Sequence, residues 1–475
     1  MKKLFSLAMV MIMALALCVP AFAQDVNSNQ GGSATITISN AAKGETYSIY
    51  KLFDATVTGT KDGSIAYTGN IPEALADYFE KDSVGNISAT DAAKDGDKAT
   101  DELQAALAAW AATKTATATA VSNGSTLVFT GLGYGYYVII TTQKTEQADG
   151  TFKSVITVNS TNPNATVHDK NVTEPTLEKS VDDDDVNIGD TVTYTVTFKT
   201  SNYDGAGEAA KQIVSYTIED TLPEFLSNVT VTKITIGGEE YKVNGAVPQF
   251  NDDKEITIPW VDANNTSLYK NGSTVSITYT AIVNGDAAIG SANINKATLT
   301  WSDKSLTDDA EFYTYAFDVV KTDSDKKVLN GAKFELYDAQ TNGNKIALIV
   351  DDGVYRVATE AEQSVEGFKS AVIEAGKATI TGLSSGTYYL EETKAPDGYN
   401  MLTNRVEVKI EKAVNSATVT DGVYQNGGVQ VINLTGALLP STGGMGTTIF
   451  YTVGGILMAG AAILLITKKK MANEQ

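Results

Sequence analysis

The 475-residue sequence is nearly devoid of two side chains on which much chemistry depends, since it has one cysteine, Cys18, and one histidine, His168. A serine-histidine triad or a zinc site would need several such residues, so a secreted hydrolase has no catalytic constellation to rest on. The four successive carboxylates at 182–185 are interpreted as a solvated turn rather than a calcium loop. No metal site and no cofactor are therefore predicted.

Positive charge is also scarce. The chain has 36 lysines and arginines against 57 aspartates and glutamates, a net charge of −21. With the lysines and the glutamate of the two terminal segments set aside, 31 basic and 56 acidic residues remain, a net charge of −25. Nucleic acids and anionic membrane surfaces attract positive patches, so neither is expected as a partner.

The first residues have the three parts of a secretory signal peptide. Lys2 and Lys3 precede an apolar run at 4–19, and the small residues Ala21 and Ala23 flank Phe22. The run is short for a membrane anchor and no charged stop follows it, so we expect cleavage after Ala23. Cys18 would leave with this peptide, and the exported chain would have to be stabilised without any disulfide.

The other end has a second apolar segment, at 447–467, followed at once by three lysines at 468–470. Its 21 uncharged residues can span a bilayer core of about 30 Å, and the lysines would hold that end in the cytoplasm. Directly before it stand Leu439, Pro440, Ser441, Thr442 and Gly443.

This arrangement resembles the Leu-Pro-x-Thr-Gly sorting signal of Gram-positive surface proteins, which sortase transpeptidases recognise. The resemblance implies cleavage between Thr442 and Gly443 and transfer of the Thr442 carbonyl to an amine. The product would be exported and anchored to the cell wall, and its membrane helix would be only transient.

Between the two ends, short runs of Thr, Val, Ile and Tyr alternate with Gly, Asn and Asp turns, for example at 34–39, 191–199, 273–283 and 405–410. This pattern predicts an all-β fold of tandem immunoglobulin-like β-sandwiches. Two short helices are expected inside the first domain, at 71–81 and 101–113, the second with Leu103, Leu107 and Trp110 on its core face. The predicted boundaries are 1–23 for the signal peptide, 24–172, 173–313 and 314–437 for three domains, and 438–475 for the sorting segment.

The third domain has the most informative motifs. They are FDVVKTD at 317–323, GAKFEL at 331–336, GTYYLEETKAPDGY at 386–399 and VQVIN at 429–433. Together they resemble the B-type collagen-adhesin (Cna-B) domain of Gram-positive surface proteins and pilins.

Strand alternation tests this resemblance independently, because residues two apart share a face. Three inward faces are predicted: Phe317, Val319 and Lys321; Tyr388, Leu390 and Glu392; Val429, Val431 and Asn433. Lys321, Glu392 and Asn433 would then meet in an apolar core, where unpaired polar groups cost several kcal/mol.

A buried salt bridge with a hydrogen-bonded amide is one interpretation of this set, and a covalent Lys321–Asn433 isopeptide bond is the sharper one. Burial lowers the pKa of a lysine and raises that of a carboxylic acid, which gives a neutral nucleophile beside a proton donor. Glu392 would promote the reaction autocatalytically. Because folding holds the reactants together, no cofactor is required.

The second domain carries a comparable pattern, with PTLEKSV at 175–181, YTIEDTLP at 216–223 and NINKATL at 293–299. It resembles the A-type collagen-adhesin (Cna-A) fold, which implies a bond between Lys179 and Asn295 promoted by Asp220. Glu219 and Asn293 are the rival acid and amide, and we expect alternation to place both on the opposite face.

In the first domain, GETYSIYKLF at 44–53 and GLGYGYYV at 131–138 resemble the amino-terminal domain of shaft pilins. No internal bond is predicted there, because the strand continues with Ile139, Ile140, Thr141 and Thr142 where a B-type domain would have its acid. At the end of this domain, Lys170 and Asn171 fit the shaft-pilin motif Tyr-Pro-Lys-Asn, with His168 and Asp169 in place of Tyr-Pro. The resemblance implies that Lys170 accepts the sorted threonine of the next subunit; an ordinary linker lysine is the alternative.

These resemblances identify the sequence as a sortase-assembled backbone (shaft) pilin, a structural subunit and not an enzyme. The implied partners are a class C-type pilin sortase, a housekeeping sortase, identical subunits in a head-to-tail fibre, accessory pilins and peptidoglycan. The alternative is a monomeric peptidoglycan-anchored adhesin that binds a host or matrix ligand. Both would use the same terminal signals, so Lys170 discriminates between them.

Overall fold

A computed structural model describes residues 33–56, 65–96, 98–141, 153–169, 174–205, 207–412, 418–420, 423–425, 429–435 and 446–472. Most described segments are short strands arranged in several separate sheets, and helices are few. The predicted all-β architecture of tandem sandwiches is confirmed.

The first sandwich pairs its opening strand with its closing strand. Its strands are β1 (Ala34–Ser39), β2 (Thr46–Ala55), β3 (Tyr67–Thr68), β4 (Phe79–Lys81), β5 (Ile87–Ala89), β6 (Lys94–Asp95), β7 (Lys98–Ala99), β8 (Ala118–Val121), β9 (Leu127–Leu132), β10 (Gly135–Thr141), β11 (Lys153–Val158) and β12 (Asn164–His168). One sheet has the order β12-β1-β9, and the other β11-β10-β2-β3-β5-β4, with β8 also paired to β2. Alternate residues of β1 are buried, so this strand has a single core face, as its period-2 pattern predicts.

A helix, α1 (Asp101–Ala112), packs in the first domain close to the predicted 101–113. Thr100 caps it by accepting a hydrogen bond from the Leu103 backbone N–H at 3.3 Å. Leu103, Leu107 and Ala111 are buried, whereas Trp110 is half-buried at the edge of the stripe.

The helix expected at 71–81 is wrong. That segment contains a 3₁₀ turn, Glu73–Leu75, followed by the strand Phe79–Lys81. The ring of Phe79 packs edge-on against Phe53 at 5.0 Å, and its strand pairs with Ile87–Ala89. Tertiary packing therefore overrides the local helical preference. A second 3₁₀ turn spans Asp91–Ala93.

The second sandwich consists of a five-stranded and a four-stranded sheet. Its strands are β13 (Thr176–Val181), β14 (Thr191–Lys199), β15 (Tyr203–Asp204), β16 (Lys211–Gln212), β17 (Ser215–Asp220), β18 (Leu226–Ile236), β19 (Glu239–Glu240), β20 (Glu255–Pro259), β21 (Thr274–Val283), β22 (Asn293–Trp301) and β23 (Lys304–Phe312). The sheet orders are β13-β14-β21-β18-β19 and β20-β17-β22-β23, with β15-β16 as a separate hairpin. A 3₁₀ turn, Gly207–Ala209, lies within that hairpin. Apolar residues at alternate positions of both sheets fill the core.

The third sandwich is built similarly. Its strands are β24 (Tyr315–Thr322), β25 (Ala332–Tyr337), β26 (Leu348–Asp351), β27 (Val354–Val357), β28 (Ile373–Ala375), β29 (Lys377–Leu383), β30 (Gly386–Lys394), β31 (Val406–Ile410), β32 (Thr418–Thr420), β33 (Val423–Gln425) and β34 (Val429–Ile432), and a one-turn helix, α2, spans Glu360–Gln363. The sheet orders are β26-β27-β29-β24-β34 and β28-β25-β30-β31. The first and last strands, β24 and β34, are parallel neighbours, and Lys321 pairs with Val431.

The described residues divide into two compact units. One contains the residues up to Ala316 with Arg356–Lys369 and Thr381–Ser385, and the other contains Phe317–Tyr355, Ser370–Ile380 and the residues from Gly386 onward. The last helix, α3 (Gly446–Ala472), includes a segment Phe450–Lys469 with a mean hydropathy of 2.0. Among the described residues it is the one helix long and apolar enough to cross a membrane, and it fits a membrane anchor.

Candidate isopeptide sites

The third sandwich brings Lys321, Glu392 and Asn433 together between its two sheets. Lys321 lies on β24, Glu392 on β30 of the facing sheet, and Asn433 directly after β34. Because β34 runs parallel beside β24, it delivers Asn433 next to the lysine. Lys321 and Asn433 are fully buried, and only 4% of Glu392 is exposed.

Every polar group of this set has a partner. The Lys321 amine donates to Asn433 Oδ1 at 2.6 Å and to the Val431 carbonyl at 2.9 Å. The Asn433 Nδ2 donates to Glu392 Oε1 and Oε2 at 3.0 and 3.1 Å, and to the Asn400 carbonyl at 2.9 Å. The amine itself lies 4.0 Å from Glu392 Oε1. The carboxylate therefore contacts the amide nitrogen, while the amine contacts the amide oxygen.

The electrostatic environment of Lys321 increases the share of neutral amine. Burial lowers the pKa of this lysine from its ordinary 10.5 to about 8, and the Glu392 carboxylate only partly opposes that shift. With this pKa, about a tenth of the Lys321 amines are uncharged at pH 7, a far larger share than at the ordinary pKa. An uncharged amine beside an amide carbonyl is the arrangement that nucleophilic attack requires.

The second sandwich brings Lys179, Asp220 and Asn295 to one place in its core. They lie on β13, at the end of β17 and on β22, and Asp220 and Asn295 are fully buried. The Lys179 amine donates to Asp220 Oδ2 at 2.7 Å, and both side chains are inaccessible to solvent. Thr221 donates to Asn295 Oδ1 at 3.1 Å.

Sequence reasoning missed a fourth member of this set, Tyr279 on β21. Its hydroxyl donates to Asp220 Oδ2 at 2.8 Å and accepts from Asn295 Nδ2 at 2.8 Å. The alternation of β21 gives a signal, because Tyr279 falls on the buried face of Thr274–Val283. Its contact with Asp220 depends on how the two sheets face each other, which no single strand reveals.

Aromatic rings enclose the Lys179 amine. Tyr194 and Tyr279 are paired residues of β14 and β21, and their rings stack with centroids 5.2 Å apart. The Lys179 Nζ lies 5.2 and 5.8 Å from the two centroids. Burial lowers the pKa of Lys179, and the Asp220 carboxylate opposes that shift.

The two rival residues of the second domain behave differently. Glu219 is exposed, as expected for the opposite face. The expectation for Asn293 is wrong, because Asn293 and Asn295 are two residues apart on β22 and both point inward. Asn293 is instead held at the first position of the strand, where its side chain exchanges hydrogen bonds with the backbone of Ala288.

In the first domain, no lysine among the described residues is buried. The amine of Lys51 pairs with Asp54 near the surface, and that of Lys43 donates to the Ser267 carbonyl at 2.7 Å. The described part of this domain therefore offers no set comparable to the other two.

The chain is tightly held just before Lys170. His168 Nδ1 lies 2.6 Å from Ser39 Oγ, and the buried Asp169 carboxylate accepts a hydrogen bond from Tyr47. Asn40 bonds both the N–H and the carbonyl of Asp169, each at 3.0 Å. These residues fix the end of the first domain. Lys170 itself lies outside the described residues, as do the signal peptide and the sorting residues 439–443.

Comparisons with known proteins agree with this architecture. Residues 316–423 match the family model described as the SpaA prealbumin-like fold domain. The chain is similar to fimbrial subunit type 1 of Actinomyces viscosus, with 26% identity over 174 residues, which is 31% of this chain and 30% of that protein. The matched region thus spans less than a third of that relative.

Two further similar proteins are matched over a larger share of their own length. The trypsin-resistant surface T6 protein of Streptococcus pyogenes serotype M6 is 24% identical over 387 residues, 63% of this chain and 69% of that protein. The crystallised pilus 2b backbone protein of group B streptococcus is 30% identical, covering 55% of this chain and 99% of that one, with a TM-score of 0.43.

Proposed function

Because the chain belongs to the family of Gram-positive pilus backbone subunits, we propose that it is the structural subunit of a covalently polymerised surface fibre. Each subunit is joined by a sortase through Thr442 to Lys170 of the next, and internal Lys–Asn bonds stabilise the second and third domains. The observation that carries the proposal is the pair of buried lysine, acid and asparagine sets in successive sandwiches.

The proposed internal reaction is a displacement at the asparagine amide. The neutral lysine amine attacks the side-chain carbonyl carbon, a new C–N bond forms, and the bond to Nδ2 breaks. Nδ2 leaves as ammonia, having taken one proton that originates from the amine and travels through the buried acid. The 2.6 Å contact between Lys321 Nζ and Asn433 Oδ1 supports this step in the third domain.

These bonds would supply the stabilisation that disulfides provide in other exported proteins. Lys321 and Asn433 are 112 residues apart, so by analogy with disulfide loop closure the link contributes about 4–5 kcal/mol. An amide bond, unlike a disulfide, cannot be reduced. A fibre exposed to changing redox conditions would keep it.

The proposed intermolecular step uses the two chain segments that flank the sandwiches. A sortase breaks the Thr442–Gly443 peptide bond and passes the Thr442 carbonyl to the Lys170 amine. Hydrogen bonds that hold Ser39, Asn40 and Asp169 together support a fixed acceptor position at the end of the first domain. A heterologous contact of this kind extends head to tail without closing. The terminal subunit would be passed to peptidoglycan.

Detergent-boiled cell-wall extracts test the polymer directly. Wild-type protein should give a ladder of high-mass species, and Lys170→Ala should give a monomer band. Lys211→Ala is the matched control, because this exposed lysine lies in the neighbouring segment of the second domain and should leave the ladder intact. A single monomer band from wild type would instead favour the wall-anchored adhesin. A ladder that persists in Lys170→Ala would refute that lysine as the acceptor.

A further inference from the structure

The hydroxyl of Tyr279 occupies the position between the acid and the amide of the second-domain set. We infer that Tyr279 is a catalytic residue of this domain, which carries a proton from Asp220 to the departing nitrogen of Asn295. The inference rests on the proposed Lys179–Asn295 bond and adds a fourth participant to it.

The contacts form one continuous path. Asp220 Oδ2 is shared by the Lys179 amine at 2.7 Å and by the Tyr279 hydroxyl at 2.8 Å. The same hydroxyl accepts from Asn295 Nδ2 at 2.8 Å. The structure thus connects nucleophile, acid, hydroxyl and leaving nitrogen in that order, with each step at hydrogen-bond length.

Tyr279 is held rigidly enough to serve in this path. Its side chain is fully buried, its ring stacks on Tyr194, and the ring of Phe250 packs against it edge-on at 5.3 Å. Its hydroxyl also remains protonated, because burial and the Asp220 carboxylate raise its pKa above the ordinary value. A fixed, protonated hydroxyl can donate as soon as it receives a proton from the other side.

The proton balance of the step is complete. Lys179 first gives a proton to Asp220, which leaves a neutral amine, and this amine then bonds to the Asn295 carbonyl carbon. As the C–Nδ2 bond breaks, Tyr279 donates its proton to Nδ2 and takes the proton held by Asp220. The second proton of the attacking amine returns to the Asp220 carboxylate. Ammonia is the only product released.

The third domain explains why such a relay is specific to the second. There, Glu392 contacts the leaving nitrogen of Asn433 directly, at 3.0 and 3.1 Å. No intermediary is required when the acid touches the leaving group. In the second domain the acid contacts the amine, so a second group must complete the path.

The test is a time course of bond formation in the full-length chain made by cell-free synthesis. Trypsin would release a branched peptide joining residues 171–199 to 271–296 when Lys179 is linked to Asn295. Tyr279→Phe should slow the appearance of this peptide by about 100-fold, the low end of what general acid–base catalysis contributes. The Lys321–Asn433 link in the same molecules should form at its normal rate.

Two controls separate chemistry from folding. Tyr216→Phe removes a buried tyrosine hydroxyl of the same core that bonds the Ser201 backbone and not the path, so the rate should stay near that of wild type. If Tyr279→Phe fails to fold, 3-fluorotyrosine at position 279 keeps the ring and makes the hydroxyl more acidic. A changed second-domain rate supports the relay, and an unchanged rate overturns it.

The outcomes distinguish the role of Tyr279 from the proposed Lys179–Asn295 bond itself. A Tyr279→Phe chain that links Lys179 to Asn295 at the wild-type rate overturns the relay and leaves the bond in place. If wild type never yields the branched peptide, both the second-domain bond and the relay are overturned. The polymer and the third-domain bond would be judged on their own measurements.

Discussion

The second- and third-domain sites hold the same residue types in two different arrangements. In the third domain the acid contacts the leaving nitrogen and stands 4.0 Å from the amine. In the second it contacts the amine at 2.7 Å and reaches the amide through Tyr279. The comparison teaches that the proposed reaction requires a continuous proton path in a dry core, and that the acid can stand at either end of it.

The largest difference between the sites should emerge when the acid is removed. Asp220→Ala leaves the Lys179 amine without its 2.7 Å partner, whereas Glu392→Ala leaves Lys321 with its contacts to Asn433 and Val431. Stranding a buried charge costs about 3–5 kcal/mol. Both variants should lose their link, and Asp220→Ala should in addition destabilise its domain by this amount.

Scanning calorimetry of the two full-length variants checks this prediction, with intact mass as the accompanying readout. Each missing link should raise the mass by about 17 Da, one ammonia retained by the amide. Equal shifts in the two unfolding transitions would show that the lysines depend on their acids to the same degree.

Removal of the amide should affect the two domains alike. Asn295→Ala and Asn433→Ala each open a closed loop of more than 100 residues, and by loop entropy each should cost about 4–5 kcal/mol. Leu299→Ala is a useful contrast, since it creates a cavity in the second core without touching the link. Protease digestion of the native chain should cut the asparagine variants far faster than wild type, and unchanged resistance would count against internal links.

The smallest effect should be a pH dependence confined to the third domain of an unlinked chain. In Asn433→Ala, Lys321 would keep a folded-state pKa near 8 against an unfolded value of 10.5. Between these values the unfolded chain binds more protons, so the free energy of unfolding should rise as pH increases from about 8 to 10.5. Well below pH 8 both states are protonated and the dependence should vanish.

Calorimetry across this pH range measures the slope. Lys321→Met in the Asn433→Ala background is the control, because it removes the titrating group and should flatten the curve. A slope that survives in the control would have to come from another group.

Much of this comparison could be predicted from the sequence, because strand alternation is a local property. It placed Lys321, Glu392 and Asn433 on inward faces, and the structure brings them into contact. Asn293 was wrongly assigned to the opposite face from Asn295, since two residues two apart on a strand share a face. The contacts of Tyr279 could not be predicted from one strand. They depend on the register of strand pairing and on which residues of the two sheets face each other, and long-range pairing sets both. The helix predicted at 71–81 was wrong for the same reason, because the ring of Phe79 packs against Phe53, a contact distant in sequence.

The parallel pairing of β24 with β34 has a mechanical consequence. The chain enters the third sandwich on one of these strands and leaves it on the other, side by side. With Lys321 joined to Asn433, tension applied along the chain would pass from strand to strand through a single covalent crossing. The 111 residues between them would be shielded from load, and at about 3.3–3.6 Å per residue this loop could not add its extended length of about 370–400 Å to the fibre. Such a subunit would be a nearly inextensible segment of the fibre.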